Sequence, residues 1–241
     1  AEAIAEEILT ASPNRIEPVE KNYLATSPWQ IVDFETENYW KKEITRELFT
    51  QACVKLPNFE VQTNGEQLHY RNKMEYSFWG DDDGLHLALH RRGSHGKEIV
   101  TGSKLAIPSL DRGANALLGA LKKLNTRAGD LKTLIVRANQ KNEVVAALYV
   151  KVGKFPKIKL PSELKGLRVY YSNPKSPASV PTKLLFELGD ICLEDELLGK
   201  RFAYDVNSFF QVNVPVFEIA LERMRAHATE PDLTDMYAGV G

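Results

Sequence analysis

Cysteine is scarce in this chain: Cys53 and Cys192 are the only two in 241 residues. Two thiols make no disulfide framework, and they fall short of the four thiolates that ligate an iron–sulfur cluster. A reducing, cytoplasmic compartment is the expectation that follows. Long apolar runs are also missing. No stretch approaches the roughly 20 residues of a membrane span, so no membrane partner is expected. Residues 1–10 are alanine-rich and acidic, without the basic start of a signal peptide. Metal-ligand constellations are thin. His86 and His90 stand four apart, but in a strand context that spacing separates them by roughly 13 Å, and His95 brings no cysteine with it.

Net charge is close to absent too, at −1, but its placement is uneven. Residues 1–50 carry five basic and ten acidic side chains, and residues 176–241 carry five and eleven. Between them, residues 104–175 carry fifteen basic and four acidic side chains. A basic block inside a neutral protein is the electrostatic footprint of a polyanion-binding surface. Nucleic acid is therefore the expected partner, and a small-molecule enzyme is disfavoured. A monomer is expected.

The pattern of apolar residues sketches the organisation. Asp33 with Glu35 and Glu37 suits a helix start, and Trp40, Ile44, Leu48 and Phe49 follow at helical spacing. The helix is expected over residues 33–56, with Trp40 and Cys53 packed inside. Residues 68–79 alternate as a strand, residues 80–84 form a turn, and residues 85–89 supply the hairpin partner. Pro108 opens an amphipathic helix that ends in Lys122 and Lys123. Residues 131–137 and 143–151 read as a second hairpin, followed by strands at 167–171, 183–187 and 201–206, with 193–198 between the last two. Glu194, Asp195 and Glu196 read as a solvated acidic loop. Residues 214–227 form a helix, and residues 233–237 a last strand.

Three motif regions carry chemistry. Tyr70-Arg-Asn-Lys-Met-Glu75 is followed by the hairpin and by the basic loop Arg91-Arg-Gly-Ser-His-Gly-Lys97. Ser208-Phe-Phe-Gln-Val-Asn213 follows a strand. Asp235-Met-Tyr-Ala-Gly-Val-Gly241 is an acidic residue, an apolar run and two glycines that let a backbone approach a ligand. In this order the three resemble the RNA (uracil-5-)-methyltransferases, which use S-adenosylmethionine to make 5-methyluridine in transfer or ribosomal RNA. The resemblance covers nearly the whole chain.

The resemblance implies an α+β fold: a central twisted antiparallel sheet with helices, then the opening helix and first strand of a Rossmann-like domain. It divides the chain into the tail of an RNA-binding β-barrel (1–20), a linker and helix (21–57), a central RNA-binding domain (58–206) and the start of a cofactor domain (207–241). It thus implies a fragment of a longer enzyme, inactive alone. Gln211, Tyr237, Gly239 and Gly241 are its implied S-adenosylmethionine contacts. A glutamine amide can hydrogen-bond the methionine end of the cofactor. Arg71, Lys73, Arg91, Arg92 and Lys97 are the candidate RNA phosphate contacts. Many relatives hold an iron–sulfur cluster near Trp29; here the segment is Ser27-Pro-Trp-Gln30, without cysteine, so no cluster is expected. The family's mechanism adds a cysteine thiolate to C6 of uracil before methyl transfer to C5, and neither Cys53 nor Cys192 sits in the matching context. The competing reading is a non-catalytic RNA-binding module.

Overall fold

The structure, a computed structural model, describes residues 7–91 and 96–228. They form two compact units that divide between Thr63 and Asn64.

The first unit holds a short helix α1 (Tyr23–Thr26), a 3-10 turn (Pro28–Ile31) and the long helix α2 (Phe34–Gln51). Asp33 caps α2 by accepting from the Thr36 amide at 2.7 Å, and Glu35 and Glu37 occupy the first turn. The helix ends five residues before its expected limit. Cys53 takes a left-handed backbone, φ 56, which stops the spiral. Two expectations fail here. Cys53 is exposed, and Trp40 keeps 49% of its surface open, because the apolar stripe of α2 faces outward along with Ile44 and Leu48.

The second unit is built on one seven-stranded sheet. Its strands are β1 (Lys73–Asp81), β2 (Gly84–His90), β3 (Lys97–Ile99), β4 (Leu131–Ala138), β5 (Val144–Val150), β6 (Gly166–Tyr171) and β7 (Lys183–Gly189), in the spatial order β3-β2-β1-β4-β5-β6-β7. The sheet is mixed, where an antiparallel one was expected. β5 and β6 run parallel, Val145 opposite Gly166 through Val150 opposite Tyr171. Parallel neighbours need a crossover, and residues 151–165 supply it without a helix, burying Ile158 and Leu164 on the way.

Alternation along the strands gives the sheet two buried faces. Tyr76, Leu134, Val136, Ala146, Leu148 and Leu167 point to one face, where helix α3 (Pro108–Lys123) covers them with Leu110, Leu117 and Leu121. Ile135, Val145, Ala147, Tyr149 and Tyr170 point to the other. That face is covered by the hairpin β8 (Leu193–Leu197) and β9 (Lys200–Tyr204), by Phe210, and by the start of helix α4 (Val214–His227). The β8–β9 turn places Leu198 and Gly199 at positive φ, the pairing that a tight two-residue hairpin demands.

Candidate functional site

The second motif, residues 208–213, lies across the sheet face opposite α3, and nearly every residue near it is tied down. Asp205 opens the turn. Its Oδ1 accepts from the amides of Asn207 (2.8 Å) and Ser208 (3.0 Å), while its Oδ2 accepts from Arg168 Nη1 at 2.6 Å. Burial works against the Asp205 carboxylate, but these amide and guanidinium donors prevail and hold its pKa below the usual value. Arg168 also pairs with Glu187 at 2.6 Å. Asn207 accepts from the Tyr149 hydroxyl at 2.6 Å and donates to the Tyr170 hydroxyl at 3.3 Å. The two tyrosine rings stack with centroids 5.4 Å apart.

Arg137 is the central clamp. It leaves β4 on this face, is 1% exposed, and donates to the carbonyls of Ser208 (2.9 Å) and Phe210 (3.3 Å). Its guanidinium lies 5.4 Å from the Tyr204 ring centre, and Tyr204 stacks on Phe210 at 4.4 Å. Burial pulls the Arg137 pKa down, while Tyr204, Asp205 and Asp195 push it up. Asp195 corrects the expectation of a solvated acidic loop. It is 4% exposed on β8, accepts the Tyr204 hydroxyl at 2.5 Å and the Gln140 amide at 2.7 Å, and leaves Glu194 and Glu196 to face outward. A strand that alternates across a sheet explains why only the middle carboxylate turns inward.

The first motif closes the clamp. Buried Asn72 donates through Nδ2 to the Gln211 carbonyl at 3.1 Å, and through its own amide to the Val212 carbonyl at 3.1 Å. Asn213 then caps α4 by accepting from the Val216 amide at 3.3 Å. Two motifs that lie 139 residues apart in sequence are thereby one site. What remains free on this loop is specific. Phe209 is 71% exposed, and Gln211 is exposed with its carbonyl fixed and its side-chain amide uncommitted among the described residues. A polar side chain on a pinned backbone loses little freedom when a ligand engages it. Tyr237, Gly239 and Gly241 lie outside the described residues, as do Arg92 and the expected strand at 233–237.

The other predicted cations spread over β1 and its neighbours: Lys73 opens β1 opposite Arg137, and Lys97 pairs with His90, the residue before Arg91. Arg71 forms a backbone bridge with Ala106, and its buried Nε has no hydrogen-bond partner among the described residues. Lys73 is partly buried, and desolvation followed by the nearby Arg137 charge lowers its pKa. Lys97 donates to the Phe78 carbonyl at 2.9 Å, and Arg91 approaches Glu98 at 3.7 Å. His86 bonds Asp81 at 2.9 Å. Cys192 is half-buried beside Asp190, whose Oδ1 accepts its amide at 2.9 Å. Among the described residues no group of three or more His, Cys, Asp or Glu is placed to hold a metal, and no helix is long and apolar enough to cross a membrane. Sequence reading missed Asn72, Arg137 and Asp195. The signal for Arg137 was there: a cation set between Val136 and Ala138 at the apolar end of the strand Leu131–Ala138.

No family model matches this chain. It is 25% identical over 256 residues to an uncharacterized RNA methyltransferase of Thermotoga maritima, covering 97% of this chain and 57% of that protein. A second uncharacterized RNA methyltransferase, from Caldanaerobacter subterraneus, is 29% identical over 88% of this chain and 53% of its own length. The chain is similar to proteins named RNA methyltransferases. The human tRNA (uracil-5-)-methyltransferase homolog A is also similar, 23% identical over 72% of this chain and 32% of that protein. The fold matches the crystal structure of the Pyrococcus abyssi tRNA (uracil-54, C5)-methyltransferase, which is in complex with S-adenosyl-L-homocysteine. The TM-score is 0.67 at 17% identity, over 93% of this chain and 54% of that one. The chain spans about half the length of the bacterial relatives it matches.

Proposed function

We infer that this chain carries the RNA-holding domain and an S-adenosylmethionine contact of an RNA uracil C5 methyltransferase, acting on a uridine of transfer or ribosomal RNA. One observation carries the reading. The two described motifs of the resemblance meet through Asn72 and Arg137, and their joint product is a rigid loop that presents Gln211. The similarity to RNA methyltransferases over nearly the whole chain supports the same reading.

When bound, the cofactor supplies an electrophilic methyl group. The chain's own residues hold and orient. Gln211 offers its amide to the methionine carboxylate or amine, and Tyr237, Gly239 and Gly241 complete the proposed contact set. Arg71, Lys73, Arg91, Arg92 and Lys97 are the proposed phosphate contacts; contacts to phosphate fix register without reading sequence.

The test is methyl transfer from labelled S-adenosylmethionine to RNA by the natural protein that carries these residues, with the nucleosides then separated. Label in 5-methyluridine, with an increase in the cofactor's KM of about tenfold or more for Gln211→Ala, is expected. Label in any other nucleoside, or none at all, overturns the reading.

A further inference from the structure

The α3 side of the sheet carries a groove that the 208–213 loop does not use. One stripe of α3, Ala116, Gly119 and Ala120, forms its floor, and the crossover segment around Lys159 and Leu160 forms the facing wall. The groove holds about 650 Å³. Its floor is low because the helix residues there are small, and a Cβ added at Gly119 would meet nothing within 4 Å.

The rim is cationic. Lys123 and Lys159 stand on opposite walls. Lys122 and Arg127 line an adjoining cleft of about 440 Å³ round the end of the helix. All four are exposed, and among the described residues none has an ion pair or a side-chain hydrogen bond. Glu163 closes one end of the groove and accepts from Ser162 Oγ; Asp81 edges the adjoining cleft and is engaged by His86. Lys122 and Lys123 also sit at the negative pole of α3 and offset it. That role does not extend to Lys159, nor to the exposed Lys154 and Lys157 that precede it on the crossover.

We propose that this groove seats the sugar–phosphate backbone of an RNA strand, with Lys123 and Lys159 reaching phosphates from two walls and Lys122 and Arg127 continuing the track. The proposal rests on the RNA reading above and adds to it a contact surface on the sheet face opposite Gln211. Cations spread along a concave channel suit a linear polyanion. A bilayer surface is flat and would meet only the rim, whose exposed leucine, Leu124, is a single apolar anchor. Contacts of this kind are indifferent to base sequence and steeply dependent on salt.

The experiment is fluorescence anisotropy of a labelled single-stranded RNA against the chain and its Lys123→Glu/Lys159→Glu double variant, at several salt concentrations. The double variant should bind at least tenfold more weakly, with a salt slope shallower by about 1.4, two phosphates at about 0.7 each. Gly119→Leu should also weaken binding, by filling the groove without changing charge. Should the double variant fail to fold, lysine acylation of the wild-type chain decides: RNA should shield Lys123 and Lys159 but spare Lys200, exposed at the β8–β9 turn. Wild-type binding that the variants and the acylation pattern leave unchanged overturns the groove and leaves the RNA reading standing. A wild-type chain that ignores RNA at low salt overturns the RNA reading itself, and the groove with it. Binding to anionic vesicles, lost in the double variant while RNA binding persists, overturns the proposal in favour of a membrane surface.

Discussion

Asn72 holds Gln211 by its backbone, Nδ2 to carbonyl oxygen at 3.1 Å, and leaves the glutamine side chain free. The Asn72 amide takes the next carbonyl, that of Val212, at 3.1 Å. One buried residue thus sets the direction of the loop just where its exposed side chains emerge. A short loop presenting Phe209 and Gln211 would otherwise sample many conformations, at a cost of roughly 1–2 kcal/mol per residue on ordering.

Replacing Asn72 by aspartate keeps the shape and reverses one interaction. A carboxylate oxygen would then face the Gln211 carbonyl with no proton between them. Two buried acceptors left facing each other cost about 1–3 kcal/mol. Urea unfolding of Asn72→Asp should show a lowered midpoint with an unchanged slope, the product of slope and midpoint shift matching that cost. An unaltered midpoint would mean that the contact contributes nothing to the fold.

Arg137→Met tests the clamp from the other side. Methionine fills much of the volume but leaves the Ser208 and Phe210 carbonyls without their donor, and removes the cation beside Tyr204. Leaving a buried acceptor without its donor costs about 1–3 kcal/mol. The loop should also become a site of proteolytic nicking near Phe209, detectable by mass spectrometry at protease levels that leave the wild type intact. A variant that resists cleavage as the wild type does would assign the loop's order to Phe210 and Asp205 alone.

Much of this architecture was legible in the sequence, and what was missed shares one cause. The helix over Val214–His227 and the strand pairs around residues 80–84 and 139–142 follow from periodicity and turn residues, which are local signals. Gln211 could be singled out from a short motif. Its partners could not. Asn72 meets it across 139 residues, and Arg137 meets Ser208 across 71, so no window of sequence contains either pair. Asp195 sat in an acidic triplet that reads as solvated, and only the burial of β8 under Tyr204 shows which carboxylate turns inward. The parallel pairing of β5 and β6 was hidden for a related reason: the crossover has no helix to announce it, only lysines, prolines and two buried aliphatics.

Alkaline titration offers a third prediction. Burial, followed by the nearby Tyr170, pushes the Tyr149 hydroxyl up to about 12. Burial and the Asp195 carboxylate push Tyr204 up as well. A raised folded pKa favours the neutral form in the native state. The stabilisation from Tyr149 is therefore complete below its unfolded value near 10 and is lost as pH rises through about 12. Absorbance near 295 nm should show two tyrosines that ionise only together with unfolding. Smooth ionisation of all tyrosines near pH 10, in a chain still folded by circular dichroism, would contradict the buried hydroxyl network.

Helix α3 provides a fourth prediction from two glycines on one helix. Gly113 faces the sheet. A Cβ built there would lie 2.9 Å from Leu164 Cδ2 and 3.0 Å from Val144 Cγ1, inside normal contact on both sides. Gly119 faces the open groove, where the same Cβ would meet nothing within 4 Å. Both gain helix propensity on substitution by alanine, about 1 kcal/mol in a helix interior. At Gly119 nothing opposes that gain, so Gly119→Ala should stabilise by about 0.5–1 kcal/mol. At Gly113 the added methyl must displace two core side chains packed under the helix, and overpacking of this kind costs typically about 1–3 kcal/mol. Gly113→Ala should therefore be neutral to destabilising by up to about 2 kcal/mol. Thermal or urea unfolding of the two single variants checks the pair. Equal shifts for both would mean that α3 stands further from β5 and from the crossover than Leu164 and Val144 place it.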